Sequence, residues 1–547
     1  MVMKRRRDFL KALGGLGLAA LPCRSLSDHA GGGAPSAADF CGNGTNGQPL
    51  FIPGTTGLFG RISGNAPLRM RAAPASRGDG GPWQLAFAVE QEGRRYVNPT
   101  LVLPRGERVR IDFENALTEP TIVHWHGLAV DTRNDGAGMT LAAPGERYSY
   151  DFEVRNRSAL YWYHPHPHGM TAGQAYRGLF GLIEVEDEDE RRLRIALDLA
   201  PVKSEIPLIL QDRRGGDYAP TEADRMHGLL GEDVLINGTA CPYLDVATRI
   251  YRFRVLNASN ARTYLLGLRT ASGKEMPFTL IGTDGGLLVT PQRCNEAFLA
   301  TAERVDILVD LSDAAVGETL VLETRAFDPM HMEMVSAMAA TDHAAMGHAS
   351  PPPVAPVTPP NADHAAMHHG SAFPEGAPRA LLQLRVRERI AYAARIPALL
   401  ASVDPIGVVG ATERPLRLGF AKGRWRINDR VFAMGETPIE VRRDTIETWL
   451  IRNYFNSMPH AMHLHGFQFQ VIERETSPEQ LAPLKIDARG RLATDIGWKD
   501  TVLVWPGESV RIALDFRMPF PEAQTYMFHC HNLEHEDGGM MLGVRVA

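Results

Sequence analysis

Cysteine is scarce in this chain. There are five in 547 residues and no two form a CxxC pair, which counts against a thiol–disulfide redox site. Long apolar runs are missing too. The stretch from Ala12 to Leu21 is too short and too glycine-interrupted to span a bilayer. Basic residues are in no excess: a formal net charge of −6 leaves no electrostatic footprint for nucleic acid. Sustained helical periodicity is absent over most of the length. What is present is ordinary for a folded soluble protein, 44% hydrophobic and 22% charged residues, in a chain too long for one hydrophobic core. A length prior suggests roughly three or four domains.

The chain speaks mostly in strands. Arg108-Val109-Arg110-Ile111-Asp112-Phe113 alternates polar and apolar residues with the period of a half-buried strand. The segments Tyr251 to Leu256, Arg304 to Leu311 and Ser509 to Phe516 repeat the pattern, with Pro- and Gly-rich turns between them. Short strands punctuated in this way predict an all-β chain of β-sandwiches. Pro-Gly-Glu precedes an alternating strand at Pro144 to Glu146 and again at Pro506 to Glu508, so the first and last regions read as related domains. The acidic run Glu184 to Glu190 reads as a solvated linker after the first.

Two segments differ in kind. Arg5-Arg6-Arg7-Asp8-Phe9-Leu10-Lys11 and the short apolar stretch after it resemble a twin-arginine export signal, which predicts a periplasmic or otherwise exported protein. From Asp328 to Gly376 the sequence is rich in Met and His, with Met330, His331, Met332, Met334 and Met338 followed by two Asp-His-Ala-Ala-Met phrases around a proline-rich spacer. This tract cannot bury a core and reads as a mobile loop. Of the cysteines, Cys23 goes with the leader. Cys41, Cys241 and Cys294 leave room for one disulfide whose pair the sequence does not name.

Four histidine clusters carry the chemistry. In a strand, residues two apart share a face with Cα atoms about 6.5 Å apart. His124-Trp125-His126, His164-Pro165-His166, His463-Leu464-His465 and His529-Cys530-His531 therefore each present a same-face pair, and eight imidazoles could line one cavity between two domains. In the last cluster the Cys530 thiolate faces away from its flanking histidines, so one tripeptide can serve metals on both sides. His460, Cys530 and His535 make a two-His, one-Cys trigonal set, with Met540 as a weak axial ligand, the donor set of a blue copper centre.

These motifs, His-Trp-His-Gly, Trp-Tyr-His-Pro-His, His-x-x-His-Leu-His-Gly and His-Cys-His-x3-His-x4-Met, resemble the four copper motifs of the multicopper oxidases. The resemblance covers essentially the whole mature chain and is nearest to bacterial three-domain laccases and copper-homeostasis cuprous oxidases. It implies three cupredoxin-like Greek-key domains, at 46–190, 191–395 and 396–547, after a leader and flexible N-terminus at 1–45, with the Met/His-rich insert at 328–376 in the second. It implies four coppers. His460, Cys530, His535 and Met540 would hold type 1, His124 and His463 type 2, and His126, His164, His166, His465, His529 and His531 the type 3 pair. The middle domain would act mainly as a spacer, and His168 stays outside the ligand set. Asp135, eleven residues after His124, stands where family members carry an acid beside the cluster, and Glu536 matches the acid that relays protons during dioxygen reduction.

The expected partners are dioxygen and a small reduced donor: cuprous ion first, with ferrous ion and phenols as alternatives. Methionine at position 540 fits a type 1 centre of moderate potential. The soft tract suits extra Cu(I) and a role in copper tolerance. The tract lies inside the middle domain, whereas the Met-rich insert of cuprous oxidases falls in the last one, so its relation to the type 1 site is open. Competing readings are a general laccase, a copper-sequestering binding protein, and an envelope-assembly relative that keeps the fold but loses its ligands. Complete ligand sets argue against the last. A copper nitrite reductase lacks histidines on both sides of its cysteine.

Overall fold

The computed structural model describes residues 47–76, 78–137, 140–331 and 373–547. The leader, Cys23, Cys41, Met332, Met334, Met338 and both Asp-His-Ala-Ala-Met phrases lie outside these residues. Six sheets pair into three β-sandwiches, each with its own hydrophobic core. The predicted alternation is realised: Val109, Ile111 and Phe113 point into the first core while Arg108, Arg110 and Asp112 face solvent.

Each sandwich contains the same three-strand unit, in which a central strand has one parallel and one antiparallel neighbour. In the first, Arg108–Asn115 lies between Leu68–Pro74 and Arg147–Glu153. In the middle one, Ile250–Asn257 lies between Glu205–Arg213 and Arg304–Asp310. In the third, Ile446–Asn453 lies between Thr412–Ala421 and Ser509–Asp515.

The Pro-Gly-Glu turn is part of this repeat. Glu146 Oε2 accepts the Ala143 N–H (2.8 Å) and Glu508 Oε2 the Trp505 N–H (3.0 Å), with Gly145 and Gly507 at positive φ. The middle sandwich has the same turn in other residues: Glu303 Oε2 accepts the Ala300 N–H (2.7 Å), and Ala302 takes the left-handed φ of 67° that glycine takes in the other two. With Thr301-Ala302 in place of Pro-Gly, the third copy carries no turn signature, although its hydrogen bonds and backbone are the same.

We propose the sequence-derived domain boundaries with two adjustments. Gln48–Pro49 pairs with Pro242–Ala247 of the middle sandwich and not with the first. Leu400 and Ala401 likewise pack into the middle core. The acidic run is corrected as well. Glu184 and Glu190 are buried rather than solvated, Glu184 paired with Arg61 and Glu190 with Arg252 of the middle sandwich. Buried carboxylates persist because guanidinium partners satisfy them, and Glu190, through Arg252, locks the linker helix Glu188–Ala196 to the middle sandwich. Cys294 is an unbridged thiol. No helix among the described residues is long and apolar enough to cross a membrane.

Candidate metal centres

The four histidine clusters sit on neighbouring strands. In the first sandwich Val123–His126 pairs antiparallel with Ala159–Pro165, placing His124 opposite His164. In the third, His460–Leu464 pairs antiparallel with Gln524–Cys530, placing His463 opposite His529. Trp125 points into the first core and Leu464 and Cys530 into the third, so the alternating histidines face one shared cavity.

All eight cluster imidazoles are buried, and their ring nitrogens sort them into sets. His164 Nε2 lies 3.4 Å from both His126 Nδ1 and His531 Nε2, which makes one trio. His529 Nε2 lies 3.0 Å from His465 Nε2 and 3.5 Å from His166 Nε2, which makes the other. His124 and His463 remain. Each has its Nδ1 tied to a backbone carbonyl, Asp135 O at 2.8 Å and Asp500 O at 2.7 Å, while each Nε2 is buried with no partner. A buried nitrogen without a partner is costly unless an absent group completes it, and these two are the atoms a type 2 copper would take.

On the other face of Cys530, its Sγ lies 3.5 Å from His460 Nδ1 and 3.6 Å from His535 Nδ1. Met540 is fully buried in the same core, and its carbonyl accepts the Cys530 N–H (3.0 Å). Ser457 Oγ meets His460 Nε2 (3.2 Å), and the Met226 carbonyl accepts from both His535 Nε2 (2.9 Å) and Trp425 Nε1 (2.7 Å). The Trp425 ring packs against both imidazoles.

Burial above all pushes His126, His164, His463, His465 and His535 well below ordinary imidazole values, His166 to about 4, and His460 and His531 to about 3. The rings are therefore neutral, the form that binds a metal. Burial pushes the Cys530 thiol up to about 12, so a metal cation is what would stabilise its thiolate.

The two acids expected beside the cluster are both there. Asp135 ends the short helix Thr132–Asp135, whose Asp131 cap accepts the Asn134 N–H. The chain leaves through Gly136 at φ 69°, where a Cβ would lie 1.8 Å from the Val123 carbonyl. That close approach brings Asp135 Oδ2 to His465 Nδ1 (2.9 Å), so one residue contacts a histidine from each of two sandwiches. Glu536 sits on the helix Leu533–Asp537, capped by Asn532. Consecutive helical residues point about 100° apart. His535 thus returns to Cys530 while Glu536 faces the cluster, 3.3 Å from His529 Nδ1 and 3.4 Å from His166 Nε2.

His168 is exposed against Phe432 and belongs to neither centre. Sequence reasoning missed Ser457, Trp425, the Met226 carbonyl and above all Asp500, whose Oδ1 is 3.0 Å from His126 Nε2. It also treated the middle sandwich as mainly a spacer, yet the Met226 carbonyl comes from there. None of these groups carries a motif. They act through position alone.

Two stretches of the chain, 88–190 and 411–547, match the sequence profile described as Multicopper oxidase. The crystal structure of the McoA multicopper oxidase from the hyperthermophile Aquifex aeolicus is 35% identical, over 92% of this chain and 100% of that one, with a TM-score of 0.76. A laccase of Bacillus subtilis (strain 168) is 30% identical over 82% of this chain and 88% of its own. The cell division protein FtsP of Xenorhabdus nematophila is 29% identical over 81% of this chain and 82% of its own. Multicopper oxidases typically bind four coppers, one type 1, one type 2 and two type 3, and imidazole and thiolate donors grouped as they are here suit that complement. By its motifs, its three sandwiches and these likenesses, the chain belongs to the multicopper oxidase family.

Proposed function

We propose that this protein oxidises a small one-electron donor at His460, Cys530, His535 and Met540 and passes the electrons to dioxygen at the eight-histidine cluster, giving water. The observation that carries this reading is the placement of two complete donor sets on opposite faces of His529-Cys530-His531. Copper, when bound, supplies single-electron chemistry at the thiolate and multi-electron reduction at the cluster. The chain's own share is to give electrons a short covalent route through the Cys530 peptide, to keep both sites dry, and to hold protons where dioxygen consumes them. Glu536, between His529 and His166, is the group placed to deliver protons, and Asp135 orients His465 and His124. One relative is named as a cell division protein, so family membership alone does not name the activity. A full ligand set supports an oxidase here.

Cuprous ion is the favoured donor, ahead of ferrous ion and phenols. His460 and His535 are 0% and 1% exposed, beneath Trp425 and the helix Glu222–His227, which leaves no bare imidazole edge for a phenol ring among the described residues. The ends of the Met/His-rich tract also lie close by. His331 Nε2 meets Glu375 Oε2 (3.1 Å), His331 stacks near His227, and after burial His331 is the neighbour that most depresses His460. These contacts support delivery of a soft metal ion to the type 1 site and a role in copper tolerance, while the twin-arginine-like leader at Arg5 to Lys11 supports export of a protein already folded around copper.

Turnover of fully copper-loaded protein with cuprous ion, ferrous ion and a phenol tests the reading. Steady oxygen consumption is expected. Bound copper without it would leave copper sequestration. Deleting Met330 to His369 is expected to depress cuprous oxidation more than phenol oxidation, and equal effects would sink the assignment of the donor.

A further inference from the structure

His126 differs from its neighbours in the way it turns. Its Nδ1 faces the cluster, so the single N–H of the neutral ring must sit on Nε2 and point outward, where it needs a buried acceptor. Asp500 supplies one at 3.0 Å, and its backbone carbonyl at the same time accepts from His463 Nδ1 (2.7 Å). Thr501 Oγ1 donates to Asp500 Oδ1 (3.0 Å) and bridges the same two rings, 3.4 Å from His126 Nε2 and 3.3 Å from His463 Nδ1. The chain approaches this closely because residue 127 is glycine. At its φ of 85° a Cβ would lie 2.4 Å from Asp500 Oδ2.

The carboxylate is fixed from the middle sandwich. Arg304 grips both oxygens as a fork, Nη1 to Oδ1 at 2.7 Å and Nη2 to Oδ2 at 2.5 Å. Its remaining donors are engaged as well, Nε by Leu160 O (3.0 Å) of the first sandwich, Nη1 by Ala302 O (3.0 Å) and Nη2 by Asp284 O (3.0 Å). Lys499 closes the network on Asp284 (3.0 Å) and Glu303 (3.1 Å). All five side chains are buried, three carboxyl groups facing two cations beside the cluster.

We propose that Asp500, clamped by Arg304, is a positioning residue for the cluster: it sets the tautomer and orientation of His126 and the placement of His463, and so makes metal loading at the cluster depend on the docking of the middle sandwich. A carboxylate behind a metal-bound histidine raises the ring's basicity, and losing such a partner typically costs roughly 10–100-fold in metal affinity. The inference rests on the copper reading of the cluster, and its test is arranged to separate the two.

The experiment measures copper per chain, the blue type 1 absorption, the type 2 electron paramagnetic resonance signal and the near-ultraviolet band of the type 3 pair. It uses the full-length protein and its Asp500→Asn and Arg304→Lys variants, loaded at graded copper concentrations. Asp500→Asn is expected to keep the blue absorption at full intensity per chain while the type 2 and type 3 signals need roughly 10–100-fold more copper. Arg304→Lys, which keeps the charge but not the fork, is expected to show a weaker shift of the same kind. Cluster signals that load as in the parent protein in both variants would overturn the proposal. So would loss of the blue absorption in parallel with the cluster signals in both, which would mark a general folding defect. Failure of the parent protein to develop cluster signals would instead overturn the copper reading itself.

Discussion

The two faces of the strand that ends at Cys530 differ in what stands behind their histidines. On the face proposed for electron entry, the outward nitrogens of His460 and His535 meet a serine hydroxyl and a backbone carbonyl, and the donor set is enclosed by Trp425 and apolar side chains. On the cluster face, carboxylates stand against the histidines: Asp135 against His465, Glu536 against His529 and His166, and Asp500 against His126. A site that moves only electrons gains from neutral surroundings, which change little as its charge changes. A site that reduces dioxygen must also take up protons, and carboxylates behind its ligands can both orient them and pass protons inward. The division of labour lies less in the ligands than in the groups behind them.

The sharpest way to break this comparison is Cys530→Ser, which removes the thiolate from one face and leaves the eight histidines of the other. Blue absorption and donor-driven oxygen consumption are expected to fall to background while the cluster still loads copper. Cluster copper lost in step with the blue centre would show that the two faces are not separable. Next comes Glu536→Gln. Dioxygen-dependent reoxidation of reduced protein should slow by about a hundredfold or more, the usual scale for a proton-transferring group, with reduction of the type 1 site untouched. An unchanged reoxidation rate would remove Glu536 from the proton path.

A third test uses the imidazoles themselves. His166, held at about 4, and His460 and His531, at about 3, are neutral in the folded apo-protein but take up protons near pH 6.5 when unfolded. The unfolded chain therefore binds more protons below pH 6.5, and apo-protein stability should fall as pH drops from about 6.5 towards 4. Copper on the same nitrogens and on the Cys530 sulfur keeps protons off them in the folded state, so the loaded protein should start from a higher Tm but lose stability at least as steeply across that window. Calorimetry of both forms checks this, and an apo-protein Tm that is flat from pH 7 to 4 would contradict it. The mildest change is Ser457→Ala behind His460. It removes one neutral hydrogen bond, worth about 1 kcal/mol, and should shift apo-protein stability by about that much while cluster spectra stay constant.

The site was more legible than its supports. His124-Trp125-His126 and the three matching clusters could be read directly because strand alternation turns a spacing of two into a shared face. Asp135 and Glu536 were expected from the family resemblance, through their offsets from His124 and His535, and both carboxylates lie against cluster histidines. Asp500 and Arg304 were not, since 196 residues separate them in sequence and neither stands in a phrase with chemistry of its own. The repeat was read only in part for a similar reason: Pro-Gly-Glu announced itself twice, whereas Thr301-Ala302-Glu303 makes the same turn with residues that do not signal one. The run Glu184 to Glu190 misled because charge density suggests solvent until Arg61 and Arg252 arrive from elsewhere in the chain.

Local patterns alone determined the strands, the donor types and the two-sided logic of His529-Cys530-His531, because each depends on side chains only one or two residues apart. Tertiary structure decided which imidazoles form each trio, which ring nitrogen faces inward, and that the middle sandwich reaches both centres through Met226 and Arg304. Those outcomes depend on the docking of three separate cores. Contacts across such junctions follow the geometry of whole sheets, which no short stretch of sequence contains.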